Sequence, residues 1–338
     1  MQTLEELEHV MCSPTQELID DLDSLDGDIM ILGVGGKMGP TLAKLAKRAV
    51  DKGTKAKTIY GVSRFSSPEL QEELEAAGIK TIAADLLNEE DLDDLPEMKN
   101  IIYMAGTKFG TSGNESFTWA MNTYLPGRVA ERFKNSRIVV FSTGNVYPFS
   151  TITQKCVDEK TPADPLGEYA QSCLGRERIT THFSKQNNTP VLFFRLNYAI
   201  DMRYGILHEI ANQVKSGRPI DLSMGHVNVI WQGDANTYAL RSLRHCTNPP
   251  NILNVTGPET VSIRWLAEMF GEAFGVEPVF NNEERPTALL SNASKAHQLF
   301  GYPKVTLMQM INWTVEWINA DGATLNKPTH FQERKGAF

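Results

Sequence analysis

Residues 28–50 have the sequence DIMILGVGGKMGPTLAKLAKRAV, in which an apolar run is followed by glycines and then by apolar residues at helical spacing. Gly33, Gly36 and Gly39 form a G-x-x-G-x-x-G pattern at the junction. Glycine there lets a strand turn sharply into a helix and approach a pyrophosphate, which the helix N-terminus attracts. Glycine spacing alone also fits an ordinary structural turn. Its position between a predicted strand and a predicted helix favours phosphate binding.

The alternation of strand and helix continues towards the C-terminus. The predicted strands cover residues 28–34, 57–63, 79–85, 100–106, 137–143 and 190–196, and the predicted helices cover residues 37–50, 68–77, 115–134 and 165–184. Apolar strands separated by helices are typical of a parallel sheet that is buried on both faces. The sequence therefore predicts an α/β protein with a doubly wound parallel sheet, the Rossmann fold, over residues 28–196.

The two ends of the chain have a different pattern. Residues 1–27 contain apolar positions at helical spacing, interrupted by Ser13 and Pro14, which predicts two short helices before the first strand. After residue 196 the elements are shorter and are separated by Gly and Pro, which predicts a smaller, mainly substrate-binding lobe over residues 197–338. Part of this region, about residues 226–256, is expected to return to the Rossmann domain.

Composition narrows the class of partner. The 338 residues are 41% hydrophobic and 22% charged, with a net charge of −8. These values are typical of a globular protein, and the acidic balance disfavours nucleic acid or an anionic membrane as partner, so a small molecule is expected. The four cysteines form no C-x-x-C pair, which predicts reduced thiols and no metal site. Without a signal peptide or a membrane-spanning stretch, the sequence predicts a cytoplasmic protein.

The residues at the ends of the second and third strands bear on the choice of dinucleotide. Ser63 and Arg64 stand where an acidic residue would bind the 2′-hydroxyl of an adenosine ribose. Arginine suits a 2′-phosphate instead, because guanidinium and phosphate form charge-assisted hydrogen bonds. The sequence thus predicts NADP, with NAD as the alternative, unless Arg64 is an ordinary solvated side chain. Asp85 and Leu86 are expected either beside the adenine or as a turn cap.

Four further segments carry a family likeness. They are IIYMAGTKFG (residues 101–110), NTYLPG beginning at Asn122, FSTGNVY (residues 141–147) and TPADPLGEYAQSCLGRE (residues 161–177). The last matches the pattern P-x-x-P-x-x-x-Y-x-x-x-K-x-x-x-E at Pro162, Pro165, Tyr169 and Glu177. On these segments the chain resembles the extended short-chain dehydrogenases/reductases, the NAD-dependent epimerase/dehydratase family that includes UDP-galactose 4-epimerase. The likeness extends over nearly all of the chain from residue 28 onward.

The resemblance implies hydride transfer between a nicotinamide cofactor and a carbohydrate or related hydroxyl compound. It implies Tyr169 as the general acid/base and Thr143 as the hydroxyl that orients the substrate oxygen. The expected cofactor-binding residues are Gly33, Gly36, Lys37, Met38, Gly39, Ser63, Arg64, Asp85, Leu86, Ala105, Gly106, Lys108, Asn122 and Tyr169. The expected substrate-binding residues are Thr143, Asn145, Asn197, Tyr198, Arg203 and His226. Members of this family commonly pair through the helices after the fourth and fifth strands, which implies a homodimer.

One position departs from the family pattern. The lysine that follows the catalytic tyrosine by four residues, and that lowers its pKa and binds the ribose, is replaced here by Cys173. A neutral thiol supplies neither a fixed positive charge nor strong hydrogen bonds. Two hypotheses follow: an enzyme in which Tyr169 works without its usual activator, or a catalytically impaired NAD(P)-binding sensor or scaffold. The retention of both Thr143 and Tyr169 favours the enzyme.

Overall fold

The computed structural model describes residues 1–108, 110, 113–153 and 156–337, so Phe109 of the segment 101–110 lies outside the described residues. The α-helices are α1 (Leu4–Met11), α2 (Gln16–Ser24), α3 (Gly39–Lys52), α4 (Pro68–Ala76), α5 (Glu89–Asp93), α6 (Glu115–Trp119), α7 (Leu125–Arg132), α8 (Gly167–Asn187), α9 (Ile206–Lys215), α10 (Gln232–Arg241), α11 (Ile263–Phe274), α12 (Ser294–Phe300) and α13 (Leu307–Asn319). A π-helical turn (Ala120–Tyr124) joins α6 to α7, and 3₁₀ turns cover Gly144–Val146 and Ser242–His245.

The strands fall into one large sheet and several two-residue pairs. They are β1 (Ile29–Leu32), β2 (Ile59–Ser63), β3 (Lys80–Ala83), β4 (Asn100–Tyr103), β5 (Arg137–Thr143), β6 (Ser150–Thr151), β7 (Val191–Leu196), β8 (Ala199–Ile200), β9 (Ile220–Asp221), β10 (His226–Val227), β11 (Ile230–Trp231), β12 (Asn251–Val255), β13 (Val261–Ser262), β14 (Phe280–Asn281) and β15 (Thr287–Ala288).

Seven strands form a parallel sheet in the order β12-β7-β5-β4-β1-β2-β3. Alternate residues of β1 enter different cores: Ile29 and Ile31 pack in one hydrophobic cluster, and Met30 and Leu32 pack in the other. This is the period of two that a strand imposes, and it explains why the central strands are mostly apolar, whereas the edge strand β3 is exposed at Lys80 and Ala83. The predicted doubly wound sheet is confirmed. Strand order reverses between β1 and β4, which opens a crevice at the carboxyl ends of these strands.

The N-terminal helices are packed against the sheet domain. Met11 and Leu18 are buried in the cluster that also contains one face of β1.

The helix α10 is bonded to α3 of the sheet domain. The hydroxyl of Thr41 in α3 accepts hydrogen bonds from Gln232 and Asn236 of α10, at 3.1 and 3.0 Å. Residues 251–255 join the large sheet as β12, and α10 precedes this strand.

The helix predicted over residues 115–134 has a less regular structure. It begins at Glu115 and ends at Arg132, but its middle turn is π-helical, which sequence periodicity does not show. The short helix α5 was not predicted. Among the described residues, no helix is both long enough and apolar enough to cross a membrane. The His, Cys, Asp and Glu side chains of the described residues also form no group of three or more that could bind a metal ion.

Candidate active site

The glycine-rich turn between β1 and α3 is in close contact with the backbone that follows β4. Gly33 has a φ of +90°, and a Cβ on it would lie 2.7 Å from the backbone nitrogen of Ala105. Gly36 lies on the open side of the turn, since a Cβ there would meet only the Gly33 carbonyl oxygen, at 3.4 Å. The N-terminus of α3 adjoins this open backbone, so the turn fits the pyrophosphate of a dinucleotide.

A first cavity, here called the outer cavity, lies beside this turn at the carboxyl ends of β2, β3 and β4. Its volume is about 280 Å³. It brings together eight predicted cofactor residues, which are Gly33, Gly36, Ser63, Arg64, Asp85, Leu86, Ala105 and Gly106. Asp85 also accepts a hydrogen bond from the backbone nitrogen of Leu87 at 3.1 Å, so it caps the turn, while its position beside an adenine stays a prediction. Arg64 is exposed at this site. It directly follows β2, at a position where a carboxylate would bind a ribose hydroxyl.

A second cavity, here called the central cavity, meets the outer cavity at Gly106 and has a volume of about 460 Å³. It lies between the ends of β5 and β7 and the second lobe. The predicted residues that line it are Lys37, Met38, Gly106, Lys108, Thr143, Asn145, Tyr169, Asn197 and Tyr198. The two cavities thus adjoin at Gly106, and different residues of the glycine-rich turn line each of them.

The two predicted catalytic hydroxyls are adjacent in the central cavity. Thr143 is the last residue of β5, and its hydroxyl accepts hydrogen bonds from the backbone nitrogen and the Nδ2 of Asn145, at 3.1 and 3.0 Å. Tyr169 lies in the first turn of α8, and it lines the same cavity as Thr143. With the Asn145 donors in place, the pair can contact one substrate oxygen together.

The Tyr169 phenol is a weak acid in this environment. Burial raises its pKa above the ordinary value, and the neighbouring Cys173 raises it further. Cys173 is 1% exposed, and burial raises the pKa of its thiol as well. The thiol thus stands where the family pattern has an ammonium group, and it does not activate the phenol.

Two cations lie near Tyr169, and one of them lowers the pKa of its phenol. Arg176 is buried two turns further along α8 and lowers the pKa of Tyr169 through its charge. The Nζ of Lys108 lies 6.0 Å from the centre of the Tyr169 ring, and burial lowers the pKa of Lys108 to about 8. Lys108 was predicted from the sequence, whereas Arg176 was missed, although it lies within the segment 161–177.

Buried ion pairs and hydrogen bonds hold these elements in place. Arg176 donates to the Phe141 carbonyl oxygen at 2.6 Å and to the Oδ1 of Asn122 at 2.9 Å. Glu177 accepts from the hydroxyl of Ser142 at 2.6 Å and from the Nε of Arg195 at 2.9 Å. These contacts connect α8 to β5, β7 and the π-helical turn, so they fix the position of Tyr169 relative to Thr143.

Four predicted residues do not line either cavity. Asn122 is fully buried and binds the backbone nitrogen and oxygen of Thr107 at 2.9 and 2.8 Å, so it orders the loop after β4. Gly39 begins α3 and packs against the backbone of Val34, which follows β1. Arg203 is paired with Asp201, with an Nη2 to Oδ2 distance of 2.7 Å. His226 lies in β10, which pairs with β13.

The C-terminal segment, residues 320–337, contributes site residues that sequence reasoning missed. Lys327 and Thr329 line the central cavity. The Thr329 hydroxyl donates to Glu209 of α9 at 2.6 Å, and Phe331 is buried. Arg334 anchors the segment by donating to the Thr287 carbonyl oxygen at 2.7 Å. The segment has no periodic pattern, so no sequence signal placed it at the cavity.

The fold and the two joined cavities define a dinucleotide-binding protein of the doubly wound α/β class. The model of the NAD dependent epimerase/dehydratase family matches residues 29–222, and the chain belongs to this family. No curated protein is similar enough to the chain to count as a match.

Several solved structures share the fold. UDP-glucuronic acid 4-epimerase from Bacillus cereus, in complex with UDP-glucuronic acid and NAD, is 19% identical with a TM-score of 0.68, over 86% of this chain and 99% of that one. UDP-glucose 4-epimerase from Thermotoga maritima, with UDP-glucose, is 16% identical with a TM-score of 0.70, over 87% and 99%. An epimerase from Methanothermobacter thermautotrophicus is 17% identical with a TM-score of 0.71, over 90% and 96%. At these identities the likeness shows the fold alone.

Proposed function

We propose that the chain is an NAD(P)-dependent oxidoreductase or epimerase acting on a carbohydrate or related hydroxyl compound. The observation that supports this most directly is that Thr143 and Tyr169 line one cavity together with Lys37 and Met38 of the glycine-rich turn. Proton transfer at a hydroxyl or carbonyl oxygen needs such a group within hydrogen-bond distance of that oxygen.

In the proposed reaction the substrate oxygen lies against Thr143 and Tyr169. Tyr169 removes the hydroxyl proton during oxidation and returns a proton to the carbonyl oxygen during reduction. Thr143, held by Asn145, donates a hydrogen bond that orients the same oxygen. A bound nicotinamide would accept or donate the hydride. The second lobe, through Asn197 and Tyr198, would bind the rest of the substrate.

The test is a substrate screen on the full chain with NAD and with NADP, followed by absorbance of the reduced nicotinamide. Two of the structures named above were solved with UDP-sugars, so UDP-glucose and UDP-glucuronic acid are the first compounds to test. Epimerisation leaves no net reduced nicotinamide, so the products are also separated by chromatography. Turnover of any hydroxyl compound that depends on Tyr169 supports the proposal.

A second candidate, a catalytically impaired NAD(P)-binding sensor or scaffold, is favoured by Cys173. Burial raises the pKa of Tyr169, and the Cys173 thiol raises it further instead of lowering it as an ammonium group would. If the chain binds a dinucleotide but turns over no hydroxyl compound at any pH from 6 to roughly 10, this candidate becomes the better account.

We expect NADP(H) to bind more tightly than NAD(H), by about tenfold, because a charge-assisted contact contributes ~1.5–3 kcal/mol. Arg64 is exposed at the outer cavity beside Ser63, where it can reach a 2′-phosphate. Calorimetric titration of both dinucleotides measures the difference, and Arg64→Ala should remove it. The exposed Arg218 in the second lobe provides the control substitution Arg218→Ala. Equal affinities in the parent protein, or an unchanged preference in Arg64→Ala, would contradict the assignment.

We also propose that the chain is a cytoplasmic homodimer. Its four cysteines are free, which fits a reducing compartment. An apolar groove of about 630 Å³ runs between α6–α7 and α8, and Trp119 and Tyr124 beside it are 38% and 55% exposed. A second copy packed on this face would bury these side chains.

Introducing a charge into this groove should dissociate the dimer. Tyr124→Glu places a carboxylate at the centre of the proposed interface, and we expect the dissociation constant to rise by at least about tenfold. Sedimentation velocity over a range of protein concentrations measures this. Tyr302→Glu is the matched control, since Tyr302 is 70% exposed on a different face. A monomeric parent protein, or equal dissociation of both variants, would contradict the proposed interface.

A further inference from the structure

The C-terminal segment, residues 320–337, forms neither a helix nor a strand, yet it lines three neighbouring cavities. It contributes Lys327 and Thr329 to the central cavity. A groove of about 660 Å³ beside α9, here called the lateral groove, adjoins the central cavity at Lys327. A small cavity of about 210 Å³, lined by Glu333 and Gly336, adjoins the central cavity at Asn145. The segment is therefore part of the partition between these three spaces.

Buried hydrogen bonds close the partition towards the lateral groove. Thr329 lines the central cavity and is 3% exposed, whereas Glu209 of α9 lines the lateral groove. The backbone nitrogen and the hydroxyl of Thr329 both donate to the Oε2 of Glu209, at 2.8 and 2.6 Å. Phe331, two residues further along, is buried in the larger hydrophobic cluster. Because hydrogen bonds to a carboxylate are stronger than those to neutral acceptors, the segment is held firmly at this point.

Arg334 fixes the segment at a second point. Its guanidinium donates to the carbonyl oxygen and the hydroxyl of Thr287 in β15, at 2.7 and 2.6 Å, and to the carbonyl oxygen of Ser223 at 3.2 Å. It also lies over the ring of Phe149, 4.4 Å from the ring centre. Phe149 directly precedes β6, which pairs with β15, so one arginine connects the segment to both strands of this pair.

A crossing of two glycines brings the segment against the helix that carries Tyr169. Gly336 has a φ of +78°, and a Cβ on it would lie 2.5 Å from the Leu166 carbonyl oxygen and 2.6 Å from the Cα of Gly167. Gly167 begins α8, and a Cβ on it would meet the backbone of Gly336. Neither position has room for a side chain, so the segment is packed directly on the start of α8.

The partition limits what the central cavity can hold. Its volume of about 460 Å³ is in the lower part of the range of roughly 300–1,000 Å³ for pockets that bind a single ligand. The proposed reaction needs both the nicotinamide and the substrate oxygen beside Thr143 and Tyr169. The space that remains fits about one sugar ring. A nucleoside diphosphate attached to that ring would have to displace the contact of Thr329 with Glu209 or the crossing at Gly336.

We propose that the C-terminal segment excludes nucleotides from the central cavity, and that the substrate is a compact hydroxyl compound the size of a single sugar ring, without a nucleoside diphosphate. Thr329, Arg334 and Gly336 determine this specificity, because they hold the segment in place. The inference rests on the proposed function, because it names the substrate class of the same site.

Paired compounds test the size selection. D-glucose and UDP-glucose form one pair, and D-glucuronate and UDP-glucuronic acid form the other. Each compound is titrated calorimetrically into the full chain with saturating NADP, and each is included in the turnover screen. We expect dissociation constants above about 1 mM for both UDP-sugars, and turnover of compounds without a nucleotide alone. Turnover of a UDP-sugar, or a dissociation constant below about 1 mM for one, would overturn the inference.

Hydrogen exchange measures the closure of the partition without any substrate. The backbone nitrogen of Thr329 donates to Glu209, and that of Phe331 donates to the Thr329 hydroxyl at 3.2 Å. We expect these two amides to exchange at least about 10²-fold more slowly than in an unstructured peptide, with and without UDP-glucose. Exchange at the rate of an unstructured peptide would mean that the segment opens freely to large compounds, and the inference would then be wrong.

Two variants loosen the segment by different means. Arg334→Met removes the guanidinium contacts, and Gly336→Ala places a methyl group at the crossing with α8. Each should speed exchange of the Thr329 amide by about tenfold or more. Each should also raise the KM of the active compound by about tenfold, while kcat and the affinity for the dinucleotide change by less than about threefold. Unchanged exchange and KM in both variants would contradict the role of these residues.

Matched substitutions away from the segment provide the controls. Arg264→Met also removes an arginine that lies over a phenylalanine ring, with a distance of 4.6 Å to the ring centre. Gly275→Ala also introduces a side chain at a positive φ, +68°, but its Cβ would have no atom within 4 Å. Both should leave the exchange of the Thr329 amide and the KM unchanged.

The outcomes separate this inference from the proposed function. A chain that binds no dinucleotide, or that turns over no hydroxyl compound, contradicts the proposed function, and the exchange of the Thr329 amide and the UDP-sugar titrations still decide whether the cavity is closed. A chain that turns over a UDP-sugar supports the proposed function and contradicts the exclusion of nucleotides alone.

Discussion

Replacing Tyr169 by phenylalanine is expected to lower turnover by about 10²–10⁴-fold, the usual contribution of a positioned general acid or base. The substitution removes one oxygen and leaves the ring in its place against Cys173. The affinity for the dinucleotide should therefore stay within a few-fold of the parent. Turnover is measured with whichever hydroxyl compound the screen identifies. Tyr60→Phe serves as the control, since Tyr60 lies in β2 outside both cavities.

The pH dependence of the same reaction follows from the raised pKa of Tyr169. During oxidation the phenolate is the active base, and burial keeps it scarce near neutrality, so the rate should rise with pH into the alkaline range. During reduction the neutral phenol is the active acid, so the rate should stay level across neutral pH. Cys173→Lys adds a cation that lowers the pKa of the phenol, and it should shift the rise in oxidation to lower pH, provided the buried site accepts the longer side chain.

Two results would contradict the assignment of Tyr169. Parent-like turnover in Tyr169→Phe would mean that proton transfer takes place at another group. An oxidation rate that is independent of pH from neutrality to about pH 10 would mean that the phenol does not titrate in the rate-limiting step.

Replacing Gly39 by alanine is expected to destabilise the folded chain by about 3 kcal/mol, near the upper end of overpacking effects. A Cβ on Gly39 would lie 2.1 Å from the carbonyl oxygen of Val34 and 2.6 Å from its carbonyl carbon. Both atoms belong to backbone directly after β1, so relief requires α3 to move away from the sheet. Equilibrium unfolding in urea, without ligand, measures the change.

Gly36→Ala is the matched control within the same turn. Its Cβ would have ordinary contact with the Gly33 carbonyl oxygen at 3.4 Å, so stability should change by no more than about 0.5 kcal/mol. The new methyl group would project from the open side of the turn and should weaken dinucleotide binding on the order of tenfold. If Gly36→Ala destabilises the chain as much as Gly39→Ala does, the backbone at Gly36 is not on the open side of the turn.

The sheet was predictable because its signals are local. The apolar runs that became β1, β4 and β5 are buried on both faces of the sheet. Because nearly every residue in such a run is apolar, the run can be recognised as a strand without knowing which face each side chain occupies. The π-helical turn at Ala120–Tyr124 was not predictable, because it is stabilised by the contacts of Asn122 with Thr107 and Ser172, which are distant in sequence.

Part of the site was predictable for a similar reason. Thr143 and Tyr169 follow a strand end and a helix start, and their motif spacing indicates that they share one edge of the sheet. Asn122 and Arg203 were assigned to ligands from sequence, whereas the structure places them in buried hydrogen bonds or an ion pair with Asp201. Which polar group faces a cavity depends on the partners around it, and those partners come from distant segments.

By itself the sequence determined the doubly wound sheet, and it predicted the glycine-rich turn and the pair of hydroxyls at Thr143 and Tyr169, because strand burial, glycine geometry and motif spacing act over short stretches of chain. It also places Cys173 at the position where the family pattern has a lysine. Only the tertiary structure decided that Arg176 lies behind Tyr169 and that Lys37, Lys108 and Lys327 line one cavity. Lys37 and Lys327 are 290 residues apart in the sequence. No local pattern couples them, because their proximity arises from the way the C-terminal segment packs across α9 and the second lobe.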